Sequence, residues 1–149
     1  MNIKKIALYI LIPLGLGFIT SLLIKTDLYN EIIKPEFSPP KIVFPIVWTI
    51  LYILLGLSNY LINKDKKEEV KNLIYYIGLA INLIWPFIFF NAKEYFLALI
   101  WLVLLIFFVI LMIIEYFKKN ELAAYIQIPY ILWLIFAFYL NYNVFILNK

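Results

Sequence analysis

The chain has 149 residues, of which 66% are hydrophobic and 19% aromatic, with thirteen lysines against nine acids and a formal net charge of +4. An apolar share so far above the roughly 45–50% of soluble domains excludes an ordinary water-soluble protein and places the chain among integral membrane proteins. Cys, His and Arg are absent, so disulfides and thiolate chemistry are excluded, and no basic run interleaved with aromatics offers a nucleic-acid surface.

Five uncharged apolar segments follow in chain order, 6–24, 42–63, 72–92, 95–114 and 122–148, of 19, 22, 21, 20 and 27 residues. At about 1.5 Å per residue, each is long enough to cross a hydrocarbon core of about 30 Å. All five are apolar around their whole circumference, which argues against buried helices of a soluble protein. The predicted fold class is all-α, an integral membrane bundle of five transmembrane helices forming a single domain over 1–149. Lys4 and Lys5 precede the first segment as they would a secretory signal. Its apolar run is longer than a typical signal core and no small-residue cleavage site follows, so an uncleaved first helix is expected.

The connection 25–41 is 17 residues long, whereas 64–71, 93–94 and 115–121 are short enough to force antiparallel neighbours. Pro35, Pro39 and Pro40 fix their own φ and disfavour helix in the residue before each, so the long connection reads as a shaped lid over the bundle. The charges Lys64, Asp65, Lys66, Lys67, Glu68, Glu69 and Lys71 read as a solvated turn. Eight lysines fall on the N-terminal side (4, 5, 64, 66, 67, 71, 118 and 119) and five on the other (25, 34, 41, 93 and 149). That bias favours a multi-pass protein of the cell membrane with a cytoplasmic N-terminus.

Hydrocarbon offers no hydrogen-bond partners, so Asn59, Asn82, Gln127 and Asn141 should face the bundle interior or a cavity. Helical spacing puts Trp48, Tyr52, Gly56 and Asn59 on one stripe, Tyr75, Gly78, Asn82, Trp85 and Phe89 on a second, and Tyr130, Trp133, Ala137 and Asn141 on a third. Antiparallel crossings then place Trp48, Trp85 and Asn141 roughly 9–10 Å below the lid-side surface, with Asn82 and Ala137 roughly 15 Å down. Aromatic planes and amides at matched depth predict an apolar small-molecule pocket under the lid. Asn82 reads equally as an interhelical hydrogen bond and as a ligand contact. Trp101 reaches a similar depth, or belongs to an interfacial aromatic belt.

Missing residues constrain the chemistry. Without His or Cys, and with Met112 as the one Met besides Met1, strong axial ligation of haem iron has almost no donors, so any tetrapyrrole would be held by stacking and hydrogen bonds. No metal site and no obligatory cofactor are expected. The serines have no His to activate them, no Gly-rich loop cradles phosphate, and no carboxylate enters a span to run a charged relay.

The segments KPEFSPPKIVFPIVWTILYILLGLSNY, NLIWPFIFF and PYILWLIFAFYLNYNVFILN together resemble the translocator protein family, also called tryptophan-rich sensory proteins or the TspO and peripheral benzodiazepine receptor family. The resemblance implies a five-helix bundle, often a homodimer, that binds protoporphyrin IX or haem. In some members it extends to sterols and to isoquinoline or benzodiazepine ligands. By motif, Trp48 and Trp133 match the tryptophans associated with light-dependent porphyrin breakdown, which would make them the catalytic pair if degradation occurs. Asn82 and Trp85 match NxxW of the third helix, Ala137 the small pocket residue of the fifth, and Asn141 its LNY element. Tyr52 and Phe89 complete the expected ligand site, and Pro39 and Pro40 match the lid.

Two departures stand out. Phe37 occupies the position of the usual loop tryptophan, keeping an apolar plug without an indole donor. The sterol-recognition pattern is not met, because six residues separate Tyr142 from Lys149. The expected function is a membrane-embedded tetrapyrrole-binding sensory or regulatory protein. The alternatives are a photo-oxidative porphyrin-degrading enzyme and a small-molecule translocator.

Overall fold

The computed structural model of the chain describes residues 2–65 and 72–149. Lys66, Lys67, Glu68, Glu69 and Lys71 of the charged turn lie outside them. Helix α1, Ile3–Leu23, starts where the Asn2 side chain accepts the Lys5 N–H at 3.1 Å. The short helix α2, Leu28–Glu31, lies within the long connection, and α3 spans Val43–Asn63. Helix α4, Leu73–Pro86, is capped by Asn72 and continues through a π-helical turn, Phe87–Asn91. Then come α5, Tyr95–Lys119, the short α6, Glu121–Tyr125, and α7, Ile128–Leu147. Among the described residues, five stretches are long and apolar enough to cross a membrane: Ile3–Leu23, Val43–Asn63, Leu73–Asn91, Tyr95–Lys119 and Glu121–Leu147.

Three boundaries differ from the sequence reading, each for a local reason. Helix α5 runs five residues beyond 114, because the charges that end its apolar stretch mark where it leaves the membrane. The helix itself persists there, with Lys118 paired to Glu115 at 3.4 Å one turn back. The fifth span is broken between α6 and α7. Pro129 has no N–H to offer the Tyr125 carbonyl and its ring crowds it, so the first helix stops and a new one begins with proline in its opening turn. In the third span Pro86 removes another donor, and the Ala92 N–H reaches the Phe87 carbonyl, five residues back, at 2.9 Å.

Packing sets the bundle's shape. Helix α1 lies along α3, where a Cβ at Gly56 would strike the Tyr9 and Ile10 backbone, so only glycine permits this approach. A Cβ at Gly17 would press into the Tyr52 ring. Helix α5 packs on both α4 and α7, and its buried face, Ala98, Leu102, Leu105, Val109 and Met112, forms the spine of the core. The outward side chains, among them Leu8, Phe18, Leu22, Val103, Phe107, Leu132 and Ile135, are apolar and exposed, as lipid-facing surfaces require.

Candidate functional site: a cavity beneath the lid

On the lid side the helices enclose a cavity of about 550 Å³, within the usual range for small-molecule sites. Trp48, Tyr52, Asn82, Trp85, Phe89, Trp133, Ala137 and Asn141 all line it. Three helices thus deliver the eight residues expected of a pocket to one space. The lower members of the same stripes do not reach it. Gly56 faces α1, Asn59 and Tyr75 lie deeper in the core, and Tyr130 supports the wall from behind.

The floor is a hydrogen-bonded strap. The Tyr52 hydroxyl donates to Asn82 Oδ1 at 2.7 Å, and Asn82 Nδ2 donates to the Tyr130 hydroxyl at 2.6 Å. This ties α3, α4 and α7 together through one amide that is 2% exposed. Asn82 is therefore both an interhelical link and part of the cavity lining, so the two readings of the sequence are compatible. Beside it, the Trp85 indole donates to Asn141 Oδ1 at 3.1 Å while Asn141 Nδ2 donates to the Tyr95 carbonyl at 2.9 Å.

The walls are aromatic. Trp48 stacks on Tyr52 with ring centroids 5.7 Å apart, and Trp85 on Phe89 at 5.1 Å. A second chain of rings runs from Trp133 to Phe44 at 5.9 Å and from Phe44 to Tyr29 of the lid at 5.1 Å. The Trp133 Nε1 is buried and has no acceptor among the described residues, a state that costs about 1–3 kcal/mol. Trp101 does not line the cavity; its indole donates to the Ile81 carbonyl at 2.8 Å.

Asparagines tether the lid at its start and at its middle. Asn91, at the end of the π turn, accepts the Lys25 N–H at 2.7 Å and donates to the Leu23 carbonyl at 3.2 Å. Asn148 accepts the Ile33 N–H at 2.9 Å and donates to the Ile33 carbonyl at 2.8 Å. Between them Leu28 and Ile32 are buried with Phe89, Ala98 and Val144. The Tyr29 hydroxyl donates to the Pro39 carbonyl. Burial raises its pKa above the ordinary value, against a smaller opposing effect of the hydrogen bond with Ser38, so this donor stays protonated at neutral pH.

Pro39 thus serves the lid through its carbonyl, and the Pro40 carbonyl accepts the Val43 N–H at 3.0 Å where α3 begins. Neither ring lines the cavity. Phe37 does not line it either and is 75% exposed, so in this arrangement the plug position is held by Tyr29 and Phe44 instead. Sequence reasoning also missed the wall supplied by α1, where Gly17, Thr20, Ser21 and Ile24 line the space. Their offsets of 3, 4 and 7 are helical, and small or hydroxyl residues in an otherwise bulky helix were the available signal.

Among the described residues no group of three His, Cys, Asp or Glu side chains could hold a metal, and Met112 is buried in the core away from the cavity. The arrangement can grip a flat apolar body by stacking and offer it a few polar contacts.

The sequence model of the TspO/MBR family matches residues 9–147. A tryptophan-rich protein TspO of Chlorobaculum tepidum is 36% identical over 124 residues, covering 80% of this chain and 78% of the relative. A tryptophan-rich sensory protein of Cereibacter sphaeroides is 31% identical over 130 residues, covering 87% and 82%. The human translocator protein is 36% identical over 121 residues, covering 78% and 72%.

Proposed function

The chain belongs to the TspO/MBR family, and from that premise we propose that it binds tetrapyrroles such as protoporphyrin IX or haem and serves a sensory or regulatory role. The multi-pass bundle would lie in the cell membrane with its N-terminus in the cytoplasm. One observation carries the reading: tryptophans and amides from three helices converge on a single cavity of about 550 Å³ under a tethered lid. Trp48, Trp85 and Trp133 would stack on the macrocycle, and Asn82 would hydrogen-bond its inner, ring-nitrogen or substituent edge away from the carboxylates. Haem would be held without a strong axial ligand, since no His, Cys or Met lines the cavity among the described residues. The name of the Cereibacter relative, a sensory protein, fits a role in which occupancy is the signal.

The test is a titration of the purified protein with protoporphyrin IX in the dark. Saturable quenching of tryptophan emission is expected, and its absence would sink the reading. A homodimer is proposed with it, to be checked by the mass of the protein in detergent.

A second reading is favoured by Trp48 and Trp133, from two different helices, both lining the cavity. Both would be within reach of a photoexcited ligand, so light-dependent porphyrin breakdown by a tryptophan pair is the enzymatic alternative. Illumination in air should then bleach the bound porphyrin, and Trp→Phe at both positions should abolish the bleaching. A spectrum unchanged by light removes this alternative and leaves binding intact.

A further inference from the structure

The cavity carries fixed charge at one end only. Lys34 and Lys41 line it, both from the lid, and no carboxylate does so among the described residues. Lys34 Nζ donates to the Tyr29 carbonyl at 2.8 Å and stands 4.5 Å from the Tyr29 ring centroid. One of its three N–H donors is used there, which holds the ammonium at the mouth with two others to spare. Lys41 Nζ lies 3.7 Å from Asp27 Oδ1, with side chains 42% and 95% exposed. A pair so long and so well hydrated holds its partners weakly, leaving Lys41 open to a better anion. Trp48 follows Lys41 by seven residues, about 10 Å deeper at helical rise. A molecule reaching from the tryptophans to the lid would therefore meet an apolar aromatic sleeve first and two cations at its outer edge.

We propose that Lys34 and Lys41 form a subsite for the anionic head of the ligand, so that the cavity selects amphipathic carboxylates and holds them acid edge outward. The proposal rests on the tetrapyrrole reading and narrows it to macrocycles bearing free carboxylates. The lysines bring two positive charges to the lid edge of the cavity. A charge-assisted contact there favours the acid over a neutral ester of nearly the same shape. Orientation follows as well, since turning the carboxylates inward would bury them where no cation lines the wall.

The full chain in uncharged detergent, free of competing lipid headgroups, is titrated with protoporphyrin IX and with its dimethyl ester, read by quenching of tryptophan emission. The acid is expected to bind about tenfold or more tighter than the ester. The K34Q/K41Q double variant is expected to lose that preference while binding the ester as the unaltered protein does. Added salt should weaken binding of the acid and leave the ester unaffected. Equal affinity for acid and ester in the unaltered protein overturns the subsite and leaves the tetrapyrrole reading standing. So does a preference that survives in the double variant, which would return the lysines to lipid headgroups. If neither compound quenches, both the subsite and the reading beneath it fall.

Discussion

The two ends of the bundle use the same kinds of polar side chain for opposite purposes. At the end away from the lid, amides and hydroxyls bond across closely packed helices. Ser58 donates to the Ala123 carbonyl at 2.9 Å, Gln127 Nε2 to the Leu54 carbonyl at 3.0 Å, and Asn72 Nδ2 to the Tyr116 hydroxyl and, at 3.4 Å, to Asn59 Oδ1. Gly56 lets α1 and α3 come together there. At the lid end, Asn82 and Asn141 make their bonds sideways, to Tyr52, Tyr130, Trp85 and the Tyr95 backbone. The ring faces above them remain uncovered. One end spends its polar groups on closing the bundle, and the other on keeping it open at fixed width.

That division makes stability and binding separable by position. The largest effect is expected at Gly56→Val, whose side chain would fall on the α1 backbone. A loss of about 3 kcal/mol or more should appear as a lower unfolding midpoint in detergent, and a variant as stable as the parent would refute the close approach. Asn72→Ala removes a helix cap and strands the Tyr116 hydroxyl. About 1–3 kcal/mol of stability should go, with protoporphyrin affinity unchanged. Trp48→Ala is expected to do the reverse, weakening protoporphyrin binding about tenfold through lost stacking and area while moving the midpoint little. If Asn72→Ala costs as much affinity as Trp48→Ala, the separation between the two ends is wrong. The smallest effect belongs to Asn148→Ala, which cuts the tether at the middle of the lid. Stability should fall by about 0.5–1.5 kcal/mol at most, and the Ile33 amide should exchange its hydrogen faster than Lys25, whose tether to Asn91 is untouched.

The sequence spoke clearly about spans and less clearly about how far a face stays functional. Runs without charge located the five crossings within a few residues, because a charge in hydrocarbon is costly enough to be almost absent from them. Periodicity then assembled whole stripes, yet a cavity occupies only part of a helix's length. Gly56 and Tyr75 share a face with Trp48 and Trp85 but lie past the cavity floor made by Asn82. The α1 wall went unread because Gly17, Thr20 and Ser21 are small and contribute by leaving room. Phe37 shows the other blind spot. Loop prolines announce a shaped chain, but the direction of a side chain between them depends on tertiary contacts such as the bond from Tyr29 to Pro39. The break before α7 was not read from the sequence, although Pro129 carried its signal in a missing donor and a crowded carbonyl.

The π turn after Pro86 acts as a phase shift. Its wider hydrogen-bonding ring takes up one more residue than an α-helical turn, so everything after it is rotated by about 100° relative to an uninterrupted helix. That rotation decides which way Phe89 and Phe90 face and brings Asn91 to the root of the lid, where it holds Lys25 and Leu23. The mouth of the cavity is therefore set by counting as much as by composition. Deleting a single residue between Phe87 and Asn91 would preserve an apolar span, yet turn its aromatic rings away from the cavity and unfasten the lid in one step.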